Sequence, residues 1–511
     1  MGRKKEYERG KAMKIQWIPG EYWYGGAVSS GVKQPAGQGD VLEINLSPNS
    51  TPNQAMPFFL SSKGRYLWRE EGFLIRFDGA GIHCPDDVEL EEDCGSLRGA
   101  YLEGMRKHFP FRPWKLSKRL FESPVYNTWI ELTFHQSQQA VLAYARGIVD
   151  HGLEPGVLII DDGWSECYGD WRFHSGKFPD PKGMIEELKK MGFSVMVWVC
   201  PFVTPDSVPW RDAEKKGILA LRDDGTTWLA RWWNGYSGVL DFTREEAVSW
   251  FDRQMKGLLE LGVDGFKFDA GDSIYYPQSE KTGNEQSRLW AEYGERYGLN
   301  EYRVSWKAGG YSLMQRLCDK DHSWGKTGIG ALIPDTLIQG LTGHPYCCPD
   351  LVGGGEYLNF AKEAASGLDQ ELFLCHGEIA CMMPVIQFSA APWRILDEEK
   401  FKEILEQLEI RRKYEKERLE ALNQAAKTGE PVIRTMEYAF PGQGMERVMD
   451  QFMMGEHLLV APFLKKGENV RAVALPRGSW RYGGQILEGG CSRYLERENA
   501  GPLILENETL I

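Results

Sequence analysis

The chain has 511 residues, 42% of them hydrophobic, with 60 Lys and Arg against 73 Asp and Glu and a net charge of −13. That length fits one large domain with one or two smaller ones. The charge excludes a nucleic-acid surface, which needs clustered cations, and the lack of any apolar run of about 18 residues excludes a membrane-spanning helix.

The basic cluster runs from Arg3 to Lys5 and on to Lys14, and it reads as a solvated tail. Met13 to Trp23 is too short and polar for the apolar stretch of a signal peptide. Residues 1–120 read as a β-sandwich domain: short alternating pieces such as Val41 to Leu46 and Phe73 to Phe77 are separated by Gly, Pro, Ser and Asn clusters, with no catalytic constellation among them. From Pro124 the rhythm changes to alternating strands and helices. Val125 to Leu132 and Val157 to Ile160 are strand-like, with a helix at Gln138 to Val149 capped by Ser137 between them. A helix at Pro181 to Met191, a strand at Phe193 to Val199 and an amphipathic helix at Glu245 to Leu261 follow. The apolar strand Val263 to Phe268 ends in Asp269-Ala270-Gly271-Asp272. Further on, Tyr302 to Trp306, Gly328 to Ile333, Tyr346 to Cys348 and Val385 to Phe388 read as strands. Ser312 to Cys318, Thr336 to Leu341, Gln370 to Met383 and Glu398 to Ala425 read as helices.

Eight strand–helix units over residues 121–428 point to an α/β fold, a (β/α)8 TIM barrel, rather than an open sheet, since no Gly-rich phosphate loop follows the first strand. Residues 429–511 lose the helical period and read as a small C-terminal β domain. The ten cysteines are scattered without a C-x-x-C pair, which fits reduced thiols and a cytoplasmic location.

In such a barrel the strand ends share one mouth. The residues at those ends are Asp161, Asp162 and Trp164; Trp198; Lys267, Asp269 and Asp272; Arg303 and Trp306; Asp350; and Ser389. Most of the polar members are carboxylates, and cysteines lack ligand spacing, so no zinc site and no cofactor is expected. Paired carboxylates beside aromatic rings suit hydrolysis of a glycosidic bond, and the 18 Trp, 21 Tyr and 23 Phe fit a sugar cleft.

Several ordered segments resemble glycoside hydrolase family 31. Phe266-Lys267-Phe268-Asp269-Ala270-Gly271-Asp272 resembles the family's nucleophile segment. Asp319-Lys320-Asp321-His322-Ser323-Trp324 is similar to its acid/base segment, an Asp with Trp five residues later, and Arg303 stands where the family places a substrate-binding Arg. The stretches Tyr168 to Trp171, Phe178 to Met184, and Trp233-Asn234-Gly235 before Leu240 to Thr243 resemble further family segments. The resemblance implies a nucleophile at Asp269 and a general acid/base at Asp319. It implies sugar contacts from Asp161, Lys267, Arg303, Trp198 and Trp233, and Asp162 and Trp306 are grouped with them. Other readings stand beside these: core aromatics for Trp198 and Trp233, a loop or helix cap for Asp272, an orienting role for Asp162, and a structural partner of Arg303 for Asp350.

Departures from the family pattern also show. Ser389 stands where many α-glucosidases of the family have His, and Cys375-His376-Gly377-Glu378 replaces an Arg-Trp pair and a Gln. With Lys267, these favour the branch that includes α-galactosidases. The expectation is a retaining exo-α-glycosidase acting on a small oligosaccharide or glycoside, α-galactoside ahead of α-glucoside. It needs no metal and has no nucleic-acid or membrane partner; a homo-oligomer is left open. The alternatives are an α-glucosidase or α-xylosidase, or a catalytically degenerate barrel that binds carbohydrate.

Overall fold

The computed structural model describes residues 12–278, 283–360 and 368–510, so the basic stretch from Arg3 to Lys11 lies outside the described residues. Its centre is an eight-stranded parallel sheet: β1 (Val125–Asn127), β2 (Val157–Ile160), β3 (Ser194–Val199), β4 (Gly265–Phe268), β5 (Asn300–Tyr302), β6 (Gln315–Arg316), β7 (Cys347–Cys348) and β8 (Gln387–Phe388). Strands β1 to β7 pair in sequence order and β8 pairs with β1. The remaining seam closes through a parallel bridge from Leu351 to Gln387 and the bonds Val385 N to Cys347 O (3.1 Å) and Val352 N to Gln387 O (2.8 Å). The strands are buried on both sides, as a barrel sheathed in helices requires.

The surrounding helices are α1 (Gln138–Asp150), α2 (Pro181–Lys190), α3 (Glu245–Leu261), α4 (Gly283–Gly294), α5 (Ile329–Leu341) and α6 (Gln370–Cys381). Their limits follow from side-chain chemistry. Ser137 accepts from Ala140 N at the start of α1, Asp180 accepts from Gly183 N ahead of Pro181 in α2, and Gly262 ends α3 at φ +114°.

Two expectations exchange places. Ser312 to Cys318, read as a helix, carries β6, and Gly328 to Ile333, read as a strand, is the first half of α5. A connection without a helix, residues 303–314, joins β5 to β6, and pairing with Tyr302 and Cys347 overrides the helical spacing of Leu313, Met314 and Leu317. Helix α5 is buried nearly all round, so its apolar run carries no amphipathic period, and Pro334 inside it mimics a break. The other corrections are smaller. Val125 to Leu132 is a three-residue strand followed by a helical turn, Trp129–Leu132. Glu398 to Ala425 divides at Tyr414 into helices Glu398–Lys413 and Glu415–Thr428.

The N-terminal residues form two antiparallel sheets. One holds Ala12–Ile15, Gly81–Pro85, Leu74–Asp78 and Leu42–Asn45. The other holds Ala36–Gly37, Tyr22–Ala27, Ala55–Ser61, Tyr66–Trp68 and Glu89–Glu91. The second sheet is buried on both faces. Trp23, Phe59 and Leu67 meet the first sheet, while Tyr24, Phe58 and Leu60 meet the helix Leu97–His108 and the α5 residues Ile338 and Leu341. The C-terminal residues build a six-stranded sheet, Ile433–Arg434, Phe452–Met454, Leu458–Ala461, Leu503–Asn507, Ser479–Tyr482 and Gln485–Glu488. A separate ribbon pairs Val470–Leu475 with Cys491–Glu496.

Trp306 belongs to the N-terminal sandwich. Its ring is 3% exposed, packed in the core that holds Trp23, Phe59 and Phe77, and its backbone bridges to Ala55. The turn after β5 carries it away from the mouth, so it is a docking residue and not a wall of the cleft. Trp306→Ala is expected to cost about 3–5 kcal/mol of stability, read by denaturant unfolding of the full chain. A loss below about 1 kcal/mol contradicts this placement.

Candidate active site

The mouth of the barrel opens into a cavity of about 420 Å³ lined by Asp161, Asp162, Trp198, Lys267, Asp269, Asp272, Arg303, Arg316 and Asp319, with Trp233, Tyr275, Trp129, Glu356 and Tyr357 at its walls. This size lies within the range of small-molecule pockets, roughly 300–1,000 Å³. Of the residues expected to bind or react, Trp306 alone is absent from this wall.

Asp269 sits one residue beyond β4, its N–H bonded to Val199 O (2.9 Å). Ala270 and Gly271 then turn the chain through the left-handed region, at φ +54° and +75°. Alanine is disfavoured there, and the turn returns Asp272 to the same side as Asp269. Arg303, just after β5, holds both carboxylates. Its Nε donates to Asp269 Oδ1 (3.0 Å), and its two terminal nitrogens donate to Asp272 Oδ1 (3.2 Å) and Oδ2 (2.7 Å). Asp272 is therefore the forked partner of an arginine, and its side chain caps no helix. Trp198 Nε1 donates to Asp269 Oδ2 (3.0 Å), and Trp164, buried behind it, donates to Trp198 O (2.8 Å). Burial pushes the Asp269 carboxyl up. The charges of Arg303, Lys267 and Arg316 and the Trp198 bond outweigh it and hold the group well below the usual carboxylate range.

Lys267, inside β4, is 4% exposed, and its Nζ donates to Asp161 Oδ2 (2.7 Å), which also accepts from Asn127 Nδ2 (2.7 Å). Asp162 turns to another set: its Oδ2 accepts from Tyr168 Oη (3.1 Å) and Asn234 Nδ2 (2.8 Å). Asn234 and Trp233 form the tip of a hairpin, Leu229–Trp232 with Gly235–Val239, that reaches over the cavity. Trp233 is 48% exposed, and the Arg303 guanidinium lies 5.6 Å from its ring centroid.

Asp319 follows β6 by three residues. Arg316 Nη1 donates to Asp319 Oδ1 (2.7 Å) and Asp350 Oδ1 (2.6 Å), and Arg316 Nε donates to Glu301 Oε1 (3.1 Å). Asp350, expected as a partner of Arg303, thus serves Arg316, and its Oδ2 takes the N–H of Lys320 (2.8 Å) and Gly355 (2.9 Å). A Cβ on Gly355 would lie 2.6 Å from Asp319 Oδ1, so the bare backbone there seats the carboxylate. The Asp319 side chain is 44% exposed, against 12% for Asp269. His322 faces the carbonyls of Gly353 (2.8 Å) and Asp369 (3.1 Å) and lies off the cavity wall.

The altered family positions serve other ends. Ser389 Oγ accepts from Ile130 N (2.8 Å), buried behind the mouth. Cys375 and Glu378 on α6 face the C-terminal sheet domain: Cys375 Sγ meets Phe463 O (2.6 Å), and Glu378 accepts from Phe463 N (2.6 Å) and Arg497 Nη1 (2.9 Å). Among the described residues no cluster of three or more His, Cys, Asp or Glu is arranged to hold a metal ion.

Sequence reasoning missed Arg316, hidden in a segment read as helix. It also missed Trp129 and Tyr357, whose rings meet at 5.3 Å, and the N-terminal loop. Ser50 and Pro52 line the cavity, and Pro52 O accepts from Arg303 Nη1 (2.7 Å).

A (β/α)8 barrel whose mouth gathers carboxylates, matched cations and aromatic rings falls in the class of barrels with a polar, aromatic-walled small-molecule pocket at that end. The comparisons narrow that class. The family description "Glycosyl hydrolases family 31 TIM-barrel domain" matches residues 124–327, and "Glycosyl hydrolase family 31 C-terminal domain" matches residues 429–500. The chain belongs to glycoside hydrolase family 31. It is 34% identical over 390 residues to the myogenesis-regulating glycosidase of Mus musculus, covering 72% of this chain and 53% of that one. It is 25% identical over 478 residues to the α-xylosidase XylQ of Lactiplantibacillus pentosus, covering 85% and 59%. The chain thus spans between half and three-fifths of these relatives' length. A family 31 α-xylosidase from a soil metagenome, solved with xylose, shares the fold at TM-score 0.80 and 21% identity, covering 99% of this chain and 80% of that one.

Burial and the neighbouring Asp161 push the Asp162 carboxyl up to about 7, against the bonds from Tyr168 and Asn234. A carboxyl raised in the folded state contributes stability below its unfolded value near 4, and that stability is lost as pH rises through about 7. Asp162→Asn removes the titration. Its stability relative to the parent is expected to improve by about 1–3 kcal/mol between about pH 4.5 and pH 8, measured by urea unfolding at each pH. A constant offset contradicts the assignment.

Proposed function

We propose that the protein is a retaining exo-α-glycosidase that releases a terminal α-linked hexose. The observation that carries the reading is the environment of Asp269: a buried carboxylate at a strand end, kept ionised by Arg303 and oriented by Trp198. A nucleophile for an anomeric carbon has these requirements, since it must be charged, unhydrated and aimed. Asp269 attacks the anomeric carbon while Asp319 gives its proton to the leaving oxygen. The glycosyl ester on Asp269 is then opened by water, from which Asp319 takes a proton. Arg316 and the Gly355 backbone hold Asp319 in place for both steps.

The sugar ring lies against Trp198, with Asp161 and Lys267 taking its hydroxyls on the cavity floor and Asp162 and Trp233 on the wall. Lys267 stands where many family members carry Trp and others Lys, and its ammonium with Asp161 offers a donor beside an acceptor. The likeness of this pattern to the branch that includes α-galactosidases puts an α-galactoside ahead of an α-glucoside. Epimers differ by one or two hydrogen bonds, so the choice is decided by assay. An α-xyloside is the second reading, favoured by similarity to relatives named α-xylosidase.

Aryl α-galactoside, α-glucoside and α-xyloside form the test panel. Asp269→Ala is expected to lose at least about 10⁴-fold in kcat/KM. Asp319→Ala is expected to lose about 10²–10⁴-fold on a disaccharide but far less on an aryl glycoside whose phenolate leaves without a proton. Undiminished turnover by Asp269→Ala removes the nucleophile, and equal loss on both substrates removes the acid.

A further inference from the structure

The N-terminal sandwich reaches the barrel through residues 52–54. Pro52 O accepts from the Arg303 guanidinium, and Asn53 Nδ2 donates to Arg303 O (3.2 Å). Gln54 goes further. Its side chain, 0% exposed, passes between the ends of β5 and β6, where the two hydrogens of Nε2 are shared among three acceptors, Arg303 O (2.8 Å), Gln315 Oε1 (2.8 Å) and Arg316 O (3.1 Å). Its Oε1 accepts from Gln339 Nε2 of α5 (3.0 Å), which fixes the plane of the amide. Arg303 and Arg316 are the two arginines that hold Asp269 and Asp319.

We propose that Gln54 is a positioning residue of the active site: its single amide nitrogen ties the backbones of Arg303 and Arg316 together and so sets the distance between Asp269 and Asp319. The inference rests on the reading of those two carboxylates as a pair. A retaining pair works at a separation of about 5–5.5 Å, and a displacement of about 1 Å costs on the order of 10²-fold. Arg303 O lies just beyond β5 and Arg316 O at the last residue of β6, each buried, and a donor shared between them ties the loop to the strand end. Asn53 backs up the Arg303 contact but has no bond to Arg316. The N-terminal sandwich, on this account, is part of the catalytic geometry although it supplies no reacting group.

The test uses the full chain carrying Gln54→Ala or Gln54→Met, the second keeping the volume and removing only the amide. In crystal structures of the variants the Asp269–Asp319 separation is expected to change by at least about 0.5 Å. On the best aryl glycoside of the panel kcat is expected to fall about 10–100-fold, with KM within about threefold. The pH profile separates positioning from lost fold. Arg303, Lys267 and Arg316 are the charges facing Asp269 from β5, β4 and β6, and Tyr275 and Cys200 are uncharged neighbours. Loosening Arg303 removes a cause that depresses Asp269, so the acidic limb of kcat/KM moves to higher pH. A smaller folded fraction lowers activity by one factor at every pH. An unchanged separation, or a loss independent of pH, overturns the proposal. Absence of turnover by the parent on the whole panel overturns the glycosidase reading instead, and the variant structures then decide the positioning role alone.

Discussion

The site depends on how one buried guanidinium is shared. Arg303 bonds Asp269, both oxygens of Asp272 and the carbonyl of Pro52, and among the described residues no other side chain in the mouth joins two carboxylates of the same loop. Removing one partner of such a buried pair typically costs about 3–5 kcal/mol, because the charge left behind has no water. The same arithmetic runs round the barrel. Lys267 serves Asp161, and Arg316 serves Glu301, Asp319 and Asp350. Asp162 is left with a hydroxyl and an amide in place of a cation, and burial drives it up to about 7. Cations hold Asp269 down, while burial and the neighbouring Asp319 still raise Asp350 beside Arg316.

Much of this arrangement was legible in the residues. Asp269 ends an apolar strand bounded by Asp and Gly, and Asp161 ends another, so strand pattern alone places both at the mouth. The count of eight strands was also right, though for a partly wrong reason: the sixth was sought at Gly328 to Ile333 and lies at Gln315–Arg316. The exchange had a consequence. Had Gln315-Arg316 been read as a strand, Asp319 would have stood at a strand end on pattern alone. After a segment with helical spacing, Asp319 carries no strand-end signal, and only the family resemblance marks it. Two-residue strands leave too little sequence to show a period of two.

The contributions from loops were not legible. Nothing in Pro52-Asn53-Gln54 announces contact with residues some 250 positions later, because the contact is made by tertiary closure of the sandwich on the barrel. Trp306 failed in the opposite sense. It is an aromatic close behind a strand, as Trp198 is within one, yet the first is spent on docking the sandwich and the second on Asp269. The departures at Cys375 to Glu378 likewise concern the seat of the C-terminal sheet on α6 and leave the cavity wall untouched. Of the departures from the family pattern, Lys267 alone stands on the cavity wall.

The central claim is that Asp269 forms a covalent bond to the sugar. A 5-fluoro-α-glycosyl fluoride of the preferred sugar, which forms the ester and slows its hydrolysis, tests it when followed by proteolysis and peptide mass spectrometry. The account predicts one sugar per chain, carried on Asp269, in step with loss of activity. A label on another side chain, or inactivation with Asp269 unmodified, contradicts it.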